Sequence, residues 1–238
     1  MSKKFVFNEG SVDAIEFHDQ LASSWSLRYK SGIFKQRLLL WQKILYKHVK
    51  SGQTWLDAGC GSGDLSAVLL KHDAKVIAID ASINMTKSVK LRKDIEISSV
   101  AVFNKDINDL SSLYNQNIDG IVCSSVLEYV SDISLPLIEF NNVLSPGGIL
   151  IFSLPNKGIN IRFFQSIIRD IFAIVGIRIF NYLEYSVTSK TKYVVKKVLE
   201  ENSFNCLATY NFTPKSKFFI FNLFAPSMYI YIARKETN

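Results

Sequence analysis

The sequence has little cysteine, little histidine and no internal repeats. Its three cysteines, Cys60, Cys123 and Cys206, are an odd number without metal-ligand spacing. They do not read as a disulfide framework or a zinc site. Cys60 and Cys123 fall at the ends of predicted strands and read as small core residues of a reduced, cytoplasmic protein. The three histidines, His18, His48 and His72, leave few candidates for a general base. No Lys/Arg cluster is interleaved with aromatic residues, as a nucleic-acid groove requires, so no nucleic acid is expected as partner. Met1-Ser2-Lys3-Lys4 is followed by only Phe5-Val6-Phe7 before polar residues, too short for a secretory signal. The most apolar stretch, 159–177, contains Arg162, Arg169 and Asp170, which argue against a transmembrane helix.

What is present suits one α/β domain with insertions. The 238 residues are 48% hydrophobic, ample material for a core. The formal net charge is +7 and the pI near 9.2, which fits either a solvated Lys-rich surface or contact with an anionic partner. Apolar runs that read as strands alternate with helical patterns, which predicts a mostly parallel, doubly wound sheet. The runs are 54–58, 75–80, about 98–104, 118–125, 149–154, 204–212 and 228–233. No crossover-length helix separates the last two, so they are expected to pair antiparallel.

The chain is organised around Trp55-Leu56-Asp57-Ala58-Gly59-Cys60-Gly61-Ser62-Gly63-Asp64-Leu65. An apolar run ends in an acid, turns through three glycines and enters a helix pattern. Such a turn brings backbone N–H groups close to a ligand. A dinucleotide fingerprint needs glycine or alanine where Asp64 stands. An acid there repels a pyrophosphate and suits a ligand carrying an amine or a sulfonium. Asp80 ends the second strand, 19 residues after Gly61, where an acid can accept both hydroxyls of a ribose.

The stretch resembles motif I of the class I S-adenosylmethionine (SAM)-dependent methyltransferases, E/D-x-G-x-G-x-G. Further landmarks are similar: Asp80-Ala81-Ser82-Ile83-Asn84-Met85 to that family's D-x-S-x-x-M, and Leu144-Ser145-Pro146-Gly147-Gly148 to its L-x-P-G-G before a strand. The likeness covers about 50–157. It implies a Rossmann-like seven-stranded sheet with an antiparallel last strand, an N-terminal helical lid over 1–50, and a SAM-binding domain over 51–238. Two apolar insertions, about 158–187 and 213–227, follow strands five and six. By resemblance, Asp57, Gly59, Gly61 and Gly63 shape the methionine pocket and Asp80 with Ala81 meets the ribose end. Met85, Asp106 and Ile107 lie near the adenine, and Ser124 with the turn after it lies under the sulfonium. The alternative for Met85 is a core gap-filler. Arg37, on the second lid helix, is placed where similar enzymes hold the SAM carboxylate; a surface arginine is the alternative.

In the first lid helix, with Ser11 as its cap and an end near Tyr29, Phe17, Leu21 and Trp25 share a face and His18 lies at its edge. The acceptor-side candidates are His18, Glu128 and Tyr129. The chain is also similar to the ubiquinone-pathway O-methyltransferases, whose strand-four region reads like S-E-V-x-E-H-V and resembles a divalent-metal site. Here Ser125 and Tyr129 replace the first Glu and the His. One carboxylate is too little for a hard cation, so no metal is expected.

The insertion at 158–187 reads either as a lid over an apolar substrate or as an interfacial helix on a membrane, with Arg162, Gln165, Ser166 and Arg169 as its polar stripe. The second, Lys215–Phe224, is also very apolar. The leading expectation is transfer of a methyl group from SAM to a small apolar or lipid-like acceptor, most often at oxygen, with S-adenosylhomocysteine as product. The alternative is a SAM-binding, methyltransferase-like subunit without turnover. A nicotinamide-dependent oxidoreductase is disfavoured by the glycine spacing. A homo-oligomer and peripheral membrane contact stay open.

Overall fold

A computed structural model describes residues 9–157, 161–174, 182–214 and 226–237. The apolar segment 215–224 and the arm 1–8 lie outside these residues, as do 158–160 and 175–181 of the first insertion. Two helices come first: α1 (Glu9–Trp25), a 3-10 turn at Ser26–Lys30, then α2 (Gly32–His48). There follow β1 (Thr54–Ala58), α3 (Asp64–Leu70), β2 (Lys75–Asp80), α4 (Ile83–Lys90), β3 (Val100–Asn104) and β4 (Ile118–Cys123). A 3-10 turn at Leu127–Tyr129 leads to α5 (Ser134–Val143) and β5 (Leu144–Pro155). The chain continues through α6 (Ile161–Ile174), α7 (Tyr182–Tyr185), α8 (Lys192–Glu201), β6 (Phe204–Phe212) and β7 (Met228–Lys235).

The seven strands form one sheet in the order β3-β2-β1-β4-β5-β7-β6. β1 pairs parallel with β2 and β4, β2 with β3, and β4 with β5. β7 runs antiparallel between β5 and β6. Chain order reverses direction across the sheet between β1 and β4. At such a switch point the loops diverge and leave a crevice beyond the carboxyl ends of the strands.

Side chains alternate along each strand, and both sheet faces are covered, so the strands read as continuous apolar runs. Leu56, Ile79, Ile121, Phe152 and Tyr231 pack with α5 and α8 on one face. Trp55, Ala78, Val122, Ile151 and Ile232 pack with Trp41, Ile44 and Leu45 of α2 and with α3 on the other. The second helix of the expected lid therefore also belongs to the core of the sheet domain.

Several element ends differ from the sequence expectation. The first helix starts at Glu9, two residues before Ser11, and tightens into a 3-10 turn after Trp25. β3 starts at Val100, because Ile97–Ser99 forms a 3-10 turn. β5 starts at Leu144, which pairs with Ile118, so the expected turn at 145–148 is an irregularity inside the strand. α8 starts at Lys192, with the Thr191 side chain capping Val194 N. The residues before it are held extended: Thr188 N donates to Glu128 O and Lys190 N to Pro155 O.

Candidate functional site

The crevice at the switch point is a cavity of about 410 Å³. Its floor is the β1–α3 turn. Gly59 N and Cys60 N both donate to Ile79 O, which folds the turn over the end of β2. Gly59 has φ +74°, and a Cβ there would lie 2.2 Å from a Val126 methyl, so only glycine fits. Gly61 N donates to Asp80 Oδ2 at 2.8 Å, and Ser82 N to Asp80 Oδ1 at 2.9 Å. Two turns thus fix one carboxylate at the cavity wall.

Asp57 is buried and accepts from Ser66 Oγ at 2.6 Å. Burial pushes its carboxyl up to about 7 and that of Asp80 up to about 6. Neither takes part in an ion pair among the described residues. Two acids without a cation, one of them buried, suit a ligand that brings hydroxyl and cationic groups. Ala81, the buried Met85, Asp106, Ile107 and Ser124 line the same cavity. Asp106 Oδ1 accepts from Asn108 N and Nδ2, at 2.8 and 2.9 Å, which orients the carboxylate. Met85 is both a buried packing residue and a cavity wall.

Asp64 departs from its reading as an acid waiting for a cationic ligand. Its Oδ1 is 3.0 Å from Arg92 Nη1, and its Oδ2 accepts from Ser62 Oγ at 2.5 Å. Arg92 Nη1 also donates to Ser62 O at 2.9 Å. The charge of Asp64 is spent on bracing the glycine turn.

α1 and α2 close the cavity from above. Asp19 of α1 accepts from Ser82 Oγ at 2.5 Å and from Asn84 N at 3.0 Å, docking α1 on the start of α4. Arg37 reaches into the cavity: Nη1 donates to Ser125 Oγ at 2.9 Å, the guanidinium lies 4.6 Å from the Phe34 ring centre, and Nε is buried without a partner. Ser125 is itself held at φ +58°, its N–H donating to Ser153 Oγ at 2.8 Å.

His18 faces the same space, ringed by Phe17, Trp25 and Tyr129 at 5.2, 5.1 and 4.8 Å between ring centres. Its Nδ1 lies 2.7 Å from Ala14 O. Burial lowers its pKa. His48 and His72 are not among the lining residues. Glu128, 3% exposed, is paired with Arg162 of α6 at 2.6 Å and accepts from Ser186 Oγ at 2.9 Å. Its carboxylate fastens α6 across the cavity. Tyr129, Val130, Gln165, Phe212, Pro214 and Met228 complete this apolar end.

The structure therefore brings His18, Glu128 and Tyr129 to one end and Asp57, Asp80 and Asp106 to the other, with Arg37 on the lid. Sequence reasoning missed Arg92 and the cavity-lining roles of Arg28, Tyr29 and Phe34. No fixed spacing marks them.

The sequence profile of a family described as "Methyltransferase domain" matches residues 56–152. The chain is 30% identical over 106 residues to a ubiquinone biosynthesis O-methyltransferase of Xanthomonas campestris, covering 44% of each protein. It is 31% identical over 102 residues to a malonyl-[acyl-carrier protein] O-methyltransferase of Hamiltonella defensa, covering 42% of this chain and 38% of that protein. The match thus spans less than half the length of these curated relatives. The crystal structure of magnesium protoporphyrin IX methyltransferase from Synechocystis with bound S-adenosylhomocysteine superposes with a TM-score of 0.70 at 18% identity, covering 96% of this chain and 100% of that one.

Proposed function

With residues 56–152 forming a class I methyltransferase domain, we propose that this chain transfers the methyl group of SAM to an oxygen of a small, apolar or lipid-like acceptor. The observation that carries the reading is the division of one cavity: acids and a glycine turn at one end, aromatic and apolar side chains with one histidine at the other. When bound, SAM supplies an electrophilic methyl on a sulfonium with a neutral leaving group. The chain's own task is then alignment and exclusion of water, which can supply much of the rate.

Each residue has a part in that task. Asp57 and the turn through Gly59, Gly61 and Gly63 shape the methionine pocket. Arg37 meets the carboxylate, and Asp80 with Ala81 the ribose end. Met85, Asp106 and Ile107 hold the adenine, and Ser124 with the turn after it lies under the sulfonium. His18 accepts the acceptor's proton and Tyr129 orients the acceptor. Glu128 is a positioning residue, since its carboxylate already holds Arg162. That occupancy also argues for a reaction without a metal at this place.

α6 supports an apolar acceptor from the outside. Its polar residues Arg162 and Gln165 line the cavity, while Phe163, Ile167, Ile168, Ile171 and Ile174 are exposed. We read this outward face as a contact with a membrane surface from which the acceptor enters. No helix among the described residues is long and apolar enough to cross a membrane.

The test is transfer of labelled methyl from SAM into an extract of the source cells, split into organic and aqueous phases. Label in the organic phase is expected. Label confined to the aqueous phase overturns the apolar acceptor, and no label despite SAM binding overturns turnover. Asp80→Ala should weaken SAM binding at least ~10-fold by calorimetry, the scale of a hydrogen bond to a charged group. An unchanged affinity would remove the ribose assignment.

A further inference from the structure

The cavity holds one more cation than a bound SAM requires. Three arginines line it: Arg28, Arg37 and Arg162. Arg162 is paired with Glu128 at 2.6 Å. SAM has a single carboxylate, and Arg37 stands ready for it with a buried, unpartnered Nε. Arg28 is left over. Its guanidinium lies 4.8 Å from the ring centre of Trp25 and 5.9 Å from that of Phe34. No described ion pair includes it. The five lining acids do not claim it: Asp64 is taken by Arg92, Glu128 by Arg162, Asp57 is bonded to Ser66, Asp106 to Asn108, and Asp80 accepts from two backbone N–H groups.

A guanidinium held beside aromatic rings still offers N–H donors, which suit a planar or tetrahedral anion. The position borders the acceptor's end as well as the glycine turn, where a Cβ at Gly61 would lie 3.3 Å from Trp25 Nε1. Trp25, under Arg28, is in edge contact with His18 at 5.1 Å, and the charge of Arg28 is felt at the His18 ring. We propose that Arg28 binds an anionic group of the acceptor, so that the acceptor is a carboxylate or phosphate joined to an apolar body. This rests on the methyltransferase reading, because the surplus cation is counted against SAM. It adds a charge to an acceptor that the apolar lining alone describes as neutral.

The experiment uses the full chain and three probes with one apolar body: 2-naphthoate, 2-naphthyl phosphate and 2-naphthol. Calorimetry first measures S-adenosylhomocysteine binding, then each probe on the loaded protein. At least one anion is expected to bind ~10-fold or more tightly than 2-naphthol, the effect of one charge-assisted pair. The tighter of the two names the group. Arg28→Gln should bring all three probes within about twofold, with S-adenosylhomocysteine affinity held within about threefold, while Arg28→Lys retains part of the preference. Arg37→Gln should instead weaken S-adenosylhomocysteine. Thermal melts of the variants report their folding. No preference for either anion in the wild type overturns the proposal. So does an Arg28→Gln variant that loses S-adenosylhomocysteine as Arg37→Gln does, since both arginines then serve the cofactor. Failure of the wild type to bind S-adenosylhomocysteine at all overturns the methyltransferase reading, and this one with it.

Discussion

Ala14 O lies 2.7 Å from His18 Nδ1, and a carbonyl can only accept. The ring therefore carries its proton on Nδ1 and leaves Nε2 with a bare lone pair. Burial lowers the pKa of His18 from its ordinary 6.5, so the ring is neutral at pH 7 and gains a proton only on the acid side. A neutral imidazole with one tautomer enforced is a competent general base. Methyl transfer to a hydroxyl acceptor should be fastest at neutral pH and above and fall on the acid side, as pH drops through the lowered value. His18→Gln should slow transfer by roughly 10²–10⁴-fold with S-adenosylhomocysteine affinity unchanged. A loss smaller than threefold, or an acid limb above pH 6.5, would take the base role from His18. The histidine was visible in the sequence as an edge residue of an apolar helix face. Its tautomer was not, because that depends on a carbonyl one helical turn away being free to accept.

At the scale of elements, α6 is the unusual one. A helix on a globular surface turns its apolar stripe inward. Here Arg162 and Gln165 line the cavity, and Ile171 and Ile174 are 57% and 85% exposed. The sequence showed the narrow polar stripe, and left open which way it faced. Glu128 decides: a buried carboxylate needs a partner, and Arg162 supplies the charge. The outward apolar face then has a consequence for membrane contact. In flotation with phospholipid vesicles, the wild type should rise with the lipid and Ile171→Asp should stay in the soluble fraction, since a charge on that face cannot enter the interface without large cost. Equal recovery of both proteins in the soluble fraction would remove the membrane reading.

For the whole molecule, the sheet is the frame that carries both ends of the cavity. β1 and β4 meet at its centre, where Gly120 sits over the ring of Trp55. A Cβ at Gly120 would stand 2.5 Å from that ring, which is wholly buried and has nowhere to move. Gly120→Ala should cost about 1–3 kcal/mol, the usual range for overpacking a filled core. Denaturant unfolding would read this as a lower midpoint at unchanged slope. A midpoint equal to the wild type would mean that the strands separate at little cost, and that the centre of the sheet is looser than its packing indicates.

The sequence by itself determined the strands, the glycine turn and the acids at strand ends. Each of these is a local pattern: alternation or an apolar run, a turn that needs positive φ, a carboxylate in or just past the last residues of a strand. Asp57, Asp80 and Asp106 could be placed in one crevice because parallel strands joined by helices all end on the same side. Only the tertiary structure decided which charges remain available. Asp64 meets Arg92 across 28 residues, Glu128 meets Arg162 across 34, and Arg37 meets Ser125 across 88. Strand order and helix docking bring these partners together, and no spacing along the chain records it. The free charge at Arg28 belongs to the same class, since it is known only once every other partner has been assigned.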